Sequence, residues 1–285
     1  MPVASNTSLS STITTEATPS LTSSDAVVYD EYDINDPPPR PGPSWTRFIC
    51  VSDTHSHIYP VPPGDVLLHA GDLSRRGKFR HLRVTIEWLK SLPHPVKIMI
   101  AGNHDLCLDN DWREGGLLAS AVGERIRIKD TVAAQTLVRS EELRQAGIYY
   151  LEFESVGVTT PNGRTWSVYG SPAAPRYALG AFQYEYGEGA EVYARIPPST
   201  EILLTHTPPF GLCDRTRKGK IAGCKDLAAR LQSSDLQRCR LHVFGHIHES
   251  HGAVLSGGEA GMPSRVSVNA ALAYGGEAII VDLKN

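Results

Sequence analysis

Five short blocks carry the groups that could do chemistry: Asp53-Thr54-His55, Gly71-Asp72, Gly102-Asn103-His104-Asp105, Thr205-His206 and Gly245-His246-Ile247-His248. Carboxylate, amide and imidazole donors without thiolate are a set that holds divalent metals through oxygen and nitrogen. One such block would pass for a polar turn. Five in one chain imply a binuclear metal centre. A carboxylate shared by two metals can hold them ~3.5–4 Å apart, the spacing at which the attacking and leaving oxygens of an in-line displacement are both stabilised. A water held between them loses a proton near neutral pH, so no nucleophilic side chain is needed.

Residues so far apart meet only if the elements before them are neighbours. Each block follows an apolar run, at residues 48–51, 66–68, 96–100, 202–204 and 241–244. Runs this short, mostly β-branched or aliphatic, suit strands covered on both faces. Leu82, Ile86 and Leu89 predict one helical face that stops before Pro93, and Leu227 and Leu231 predict another helix over residues 225–233. Strands separated by helices predict a layered α/β sheet. In such sheets ligands bind beyond the carboxyl ends of the strands, where all five blocks fall.

In order and chemistry the blocks resemble those of the calcineurin-like metallophosphoesterase superfamily, from about Arg47 onward. Residues 48–56, 88–93 and 241–245 resemble most its small metallophosphoesterase-domain members, relatives of the class III cyclic-nucleotide phosphodiesterases. The resemblance implies a four-layer αββα sandwich, two mixed β-sheets flanked by helices. It also implies that Asp53, His55 and His248 hold a first metal, that Asn103, His206 and His246 hold a second, and that Asp72 bridges them. His104 is then no ligand; it would bind a phosphoryl oxygen or protonate the departing alkoxide, with Asp105 orienting its imidazole. Two divalent ions are expected, manganese first, with iron, zinc or magnesium acceptable to the same donors.

The activity implied is metal-dependent hydrolysis of small, cyclic-nucleotide-like phosphodiesters by metal-bound hydroxide. The alternatives are a phosphomonoesterase or protein phosphatase, or a weakly active nucleotide-binding scaffold. Two departures weaken the protein-phosphatase reading. Arg75 stands where that family's Gly-Asp block has a second acid, and Ala101 stands where it has an arginine before Gly-Asn-His. Against the scaffold, His246 occupies a position where some weakly active relatives have glycine. Arg76 and the basic residues Arg215, Arg217, Lys218 and Lys220 are further candidates for an anionic substrate. His69, His81, His94 and His242 read as structural histidines; His57 and His251 lie beside metal-binding blocks, and a substrate contact is the lesser expectation for them.

The rest of the chain frames this reading. With 285 residues and 41% hydrophobic content it can bury one substantial core. Residues 1–43, in which six acids face Arg40 alone, are expected to be a disordered Ser/Thr-rich, acidic and proline-rich tail, and residues 44–285 the catalytic domain. The formal net charge of −3 offers no global case for a nucleic-acid polymer as partner; a small phosphoester is expected. No signal peptide, transit peptide or membrane-spanning run is visible, so a cytoplasmic, membrane-free protein is expected. Five cysteines, an odd number without C-x-x-C spacing, fit free thiols in a reducing compartment.

Overall fold

The computed structural model describes residues 17–112, 126–257 and 264–285. Two mixed sheets face each other. The first has the order β1 (Leu21–Thr22), β2 (Ala26–Tyr29), β15 (Ile279–Lys284), β3 (Trp45–Val51), β4 (Val66–His69), β5 (Val96–Met99) and β6 (Ile148–Tyr150). The second has the order β13 (Gly252–Ser256), β14 (Arg265–Asn269), β12 (Leu241–Phe244), β11 (Ile202–Thr205), β8 (Thr165–Ser171) and β7 (Glu154–Thr159). A short parallel ribbon, β9 (Ala174–Pro175) with β10 (Gln183–Tyr184), lies apart from both. Strands β3 to β6 are parallel, and so are β8, β11, β12 and β14. All five apolar runs read from the sequence are therefore parallel strands.

Alternation along each strand builds the layers, because successive side chains point to opposite faces. In β3, Phe48 and Cys50 enter the core between the sheets, where they join Leu68, Ile98, Trp166, Leu204 and Val243. Ile49 and Val51 point the other way and pack with Leu82, Ile86 and Leu89 of α1 (Phe79–Ser91). Helices α2 (Ile128–Val138) and α3 (Glu141–Gln145) add Ala134, Val138 and Leu143 to this outer layer. Behind the second sheet, Tyr169 and Leu203 meet Tyr193 of α4 (Gly189–Ala194) and Leu227 and Leu231 of α5 (Lys225–Leu231). The result is the four-layer αββα sandwich, and both helical patterns in the sequence are helices.

The expected tail boundary is corrected. Ala26, Val27, Val28 and Tyr29 form β2, all four no more than 9% exposed, and pair antiparallel with β15. The polar stretch that follows is also tied down. Tyr32 donates its hydroxyl to the Ala278 carbonyl at 2.6 Å, and Arg40 pairs with Asp65 at 3.0 Å. Arg47, bound by both nitrogens of its fork to the buried Asp282, gives a further hydrogen bond to the Pro38 carbonyl at 2.7 Å. Four apolar residues suffice here because β15 supplies the ladder they complete. Residues 1–16 of the expected tail lie outside the described residues.

Candidate metal centre

The five blocks leave the carboxyl ends of β3, β4, β5, β11 and β12 and converge at one edge of the sandwich. Their turns are sharp. Asp53, His55, Asp72 and His246 have φ of 53°, 47°, 53° and 69°, a left-handed region that costs a non-glycine residue about 1–3 kcal/mol. Strain of that size in four candidate ligands persists only because the surrounding packing enforces it. Gly102 and Gly245 allow the closest approaches: a Cβ at Gly102 would strike Asp72 Oδ1, and one at Gly245 would strike Asp53 Oδ2.

Asp53, His55, Asp72 and His248 each bring one donor atom into a group whose members lie within 4.8 Å of one another. Asp53 Oδ1 is 2.9 Å from His248 Nε2, which lies 3.3 Å from His55 Nε2. The other Asp53 oxygen accepts the His246 backbone N–H at 2.9 Å, so it also ties two blocks together. Asp72 Oδ2 is 3.7 Å from His55 Nε2. Its Oδ1 faces a second group, 3.4 Å from His206 Nε2. Around that nitrogen stand Asn103 Oδ1 at 2.9 Å and His246 Nδ1 at 3.3 Å. The Asp72 carboxylate thus divides its oxygens between two donor groups. His206 Nδ1 can only donate to the Ala70 carbonyl at 3.0 Å, which keeps Nε2 turned into the site.

Four imidazoles and two carboxylates in contact, mostly buried, are a poor arrangement for anything but cations. Titration directions agree. Burial alone would raise the Asp53 and Asp72 carboxyls, but His248 and His206 hold Asp53 at about 2 and the imidazoles hold Asp72 well below the usual range. Burial lowers His55 and lowers His246 to about 3, so both stay neutral, the form that ligates. Burial opposes a charge on His206 too, yet Asp72 and Asp53 outweigh it and lift the imidazole to about 9. A proton there neutralises the carboxylates where a metal would. The donor set and its charge fit two divalent ions, one per group.

Two expectations about the neighbouring residues fare differently. His104 lines the cleft and stays outside both groups, while its backbone N–H donates to Asp72 Oδ1 at 2.8 Å. Asp105 does not orient the His104 ring. It is fully buried and accepts three backbone N–H groups, from Leu73, Ser74 and Gly102, at 3.0, 2.7 and 2.9 Å. It fastens the Asp72 loop to the Asn103 loop. Burial and the nearby Asp72 charge raise its carboxyl to about 6 against the pull of those donors. The Arg75 carbonyl, 3.3 Å from His104 Nδ1, sets the tautomer instead. A carbonyl only accepts, so Nδ1 carries the hydrogen and Nε2 is left for a ligand.

The groups open into a cleft of about 750 Å³ whose lining includes Arg75, Arg76 and Tyr274. Of the remaining histidines, His57 lines the cleft, whereas His251 Nε2 is held by the Glu277 carbonyl at 2.7 Å. His69 and His242 are buried against Thr54 and Thr205, and His94 against the Pro62 carbonyl. Arg217 stacks on Tyr274 at 4.3 Å, which brings the basic loop to the rim. Sequence reasoning missed Tyr177, whose ring lies 5.2 Å from His246, and Tyr274, 5.2 Å from His248. Tyr274 had one available signal, since it follows the carboxyl end of the parallel strand β14; Tyr177 had none.

Comparison with known proteins places this geometry. The family model of calcineurin-like phosphoesterases matches residues 46–250. Metallophosphoesterase domain-containing protein 1 of Homo sapiens, and that of Mus musculus, is 36% identical over 225 residues, covering 77% of this chain and 65% of the relative. A UPF0046 protein of Caenorhabditis elegans is 32% identical over 222 residues, covering 77% of this chain and 69% of that protein. A match over most of the chain that ends with the last block shows the family: this chain belongs to the calcineurin-like phosphoesterases.

Proposed function

We propose that the protein is a binuclear-metal-dependent phosphohydrolase acting on small phosphodiesters of the cyclic-nucleotide kind. The observation that carries this reading is the Asp72 carboxylate, with one oxygen toward His55 and the other toward His206. In this assignment Asp53, His55 and His248 hold one ion, Asn103, His206 and His246 hold the other, and Asp72 is shared. When bound, the ions supply Lewis acidity at the phosphoryl oxygens and an activated water; manganese suits the shell, as do iron, zinc and magnesium.

The chain's own residues do the rest. Backbone strain at Asp53, His55, Asp72 and His246 is met during folding, so the donors are already oriented when substrate arrives. Asp105 keeps two of the loops in register. His104 Nε2, free because Nδ1 faces the Arg75 carbonyl, accepts or delivers a proton at the ester oxygens. Arg75 and Arg76 offer cations to a phosphate in the cleft. Ala101, fully buried, leaves no arginine beside Gly102 to grip a monoester dianion from the second side, which favours diesters.

The test compares hydrolysis of bis-p-nitrophenyl phosphate with that of p-nitrophenyl phosphate in added manganese. Faster diester turnover is expected. A preference for the monoester supports the phosphatase reading, and absence of turnover with both metals bound supports a nucleotide-binding scaffold.

A further inference from the structure

Beside the catalytic cleft the surface carries a run of cations that the hydrolysis of a small diester does not require. No acid occurs between Asp72 and Glu87, while Arg75, Arg76, Lys78, Arg80 and Arg83 fall within that stretch and are all exposed. None of the five has an ion-pair partner among the described residues. Arg75 and Arg76 line the cleft at the metal loops; Lys78, Phe79 and Arg80 line a second hollow with Ile126, Arg127 and Asp130, where the Asp130 carboxylate is taken up by Arg127 at 2.8 Å. The cations are close together: burial lowers the His81 imidazole, and Arg80, Lys78, Arg76 and Arg75 lower it further.

Their position is costly. Lys78 is the N-cap of α1 and gives no side-chain cap, and Arg80 follows in a first turn that holds no acid. The helix dipole disfavours positive charge at this end, so helix stability does not explain the run. Exposed aromatics stand beside the candidate ligands, and one of them, Tyr274, lines the cleft. Tyr177 is 68% exposed beside His246, and Tyr274 is 70% exposed beside His248 with Arg217 stacked on it. A basic path that follows a backbone, combined with aromatic faces for the bases, is how single strands are bound without sequence preference.

We infer that the cleft receives one phosphodiester of a short single-stranded oligonucleotide, with the neighbouring phosphates on the path from Arg75 to Arg83 and bases against Tyr177 and Tyr274. This rests on the phosphodiesterase reading and extends it from small diesters to diesters within a chain. The overall charge of −3 conceals the path, because acids elsewhere in the chain offset it.

The experiment uses the triple variant Lys78→Glu/Arg80→Glu/Arg83→Glu, away from the metal loops. Acidic residues suit a helix start, so its melting temperature should equal or exceed that of the parent, and a loss of binding is then not a loss of fold. Fluorescence anisotropy compares labelled hexathymidylate with labelled thymidine monophosphate across a salt titration. The parent should bind the hexamer at least about 10-fold more tightly than the monomer, and the variant should lose that margin. The slope of log affinity against log salt should fall by about two for three reversed cations. Equal affinity for hexamer and monomer, an unchanged salt slope in the variant, or binding to phosphatidylserine vesicles without binding to the hexamer overturns the inference. Bis-p-nitrophenyl phosphate turnover by the parent is read separately: its absence defeats the phosphodiesterase reading, while its presence with no hexamer margin defeats only the extension.

Discussion

Starting the chain at Ser44 removes β2 and the strap after it, and the structure gives the expected cost. Val27 and Tyr29 leave the core under α1, and Val28 leaves the core between the sheets. Burial of side chains of this size is worth about 1.5–3 kcal/mol each, so the three together contribute about 4.5–9 kcal/mol. A partly compact unfolded chain lowers that figure somewhat. It is still comparable with the ~5–15 kcal/mol that holds an ordinary domain together. The same cut also leaves the β15 edge open and removes the Pro38 acceptor of Arg47. Urea unfolding followed by tryptophan fluorescence should show the chain from Ser44 unfolded in buffer, or with its midpoint lowered by about 2 M relative to a chain from Ala17. Equal midpoints for the two would refute the reasoning and return residues 17–43 to the status of a passive tail.

Other perturbations address the site. Asp72→Asn should release both metals and abolish turnover; two equivalents still tightly bound would remove the bridging assignment. His104→Ala should keep both metals and slow hydrolysis by about 10²–10⁴, most for alkoxide leaving groups; equal losses for alkoxide and nitrophenolate would indicate phosphate positioning alone. Asp105→Asn puts an amide where three N–H groups need an acceptor, so melting temperature and metal affinity should fall together, and a shift confined to the pH–rate profile would restore the imidazole-orienting role. Burial lowers His94 to about 4, so its folded pKa lies below the unfolded ~6.5 and the unfolded chain binds more protons between the two values. Its contribution is therefore complete above pH 6.5 and is lost as pH falls to about 4, about 3 kcal/mol in all. His94→Gln should flatten the stability curve in that window, and an unchanged acid limb would disprove the assignment.

The sequence was readable where one residue type had one physical meaning. Parallel strands buried on both faces leave unbroken apolar runs, so β3, β4, β5, β11 and β12 stood out, and the glycine-marked blocks followed them. The α1 face was equally plain from Leu82, Ile86 and Leu89. Ala26-Val27-Val28-Tyr29 is the one run in the expected tail that could be a strand, but it sits among serines and acids, and only β15, more than two hundred residues away, makes it one. Asp105 was misread because adjacency to His104 suggested a side-chain partner, whereas its real partners are backbone groups of two loops. Tyr177 belongs to no chemical motif and gains meaning only from its distance to His246.

The place of β15 has a consequence for how the molecule is made. It lies between β2 and β3, pairing Ile280 with both Tyr29 and Ile49. Strand β3 carries the loop of Asp53 and His55, yet one of its two edges stays bare until Ile279–Lys284 has been synthesised. Contacts of such long sequence separation form slowly, because the loop must close before the pairing rewards it. A ribosome-bound chain that has emerged as far as His248 therefore holds every candidate ligand while its first sheet is still split, with β2 cut off from β3. Metal captured at that stage would meet ligands without their final geometry. Metal loading is thus expected to follow the synthesis of Ile279–Lys284, and β15 acts as the timing element for the site.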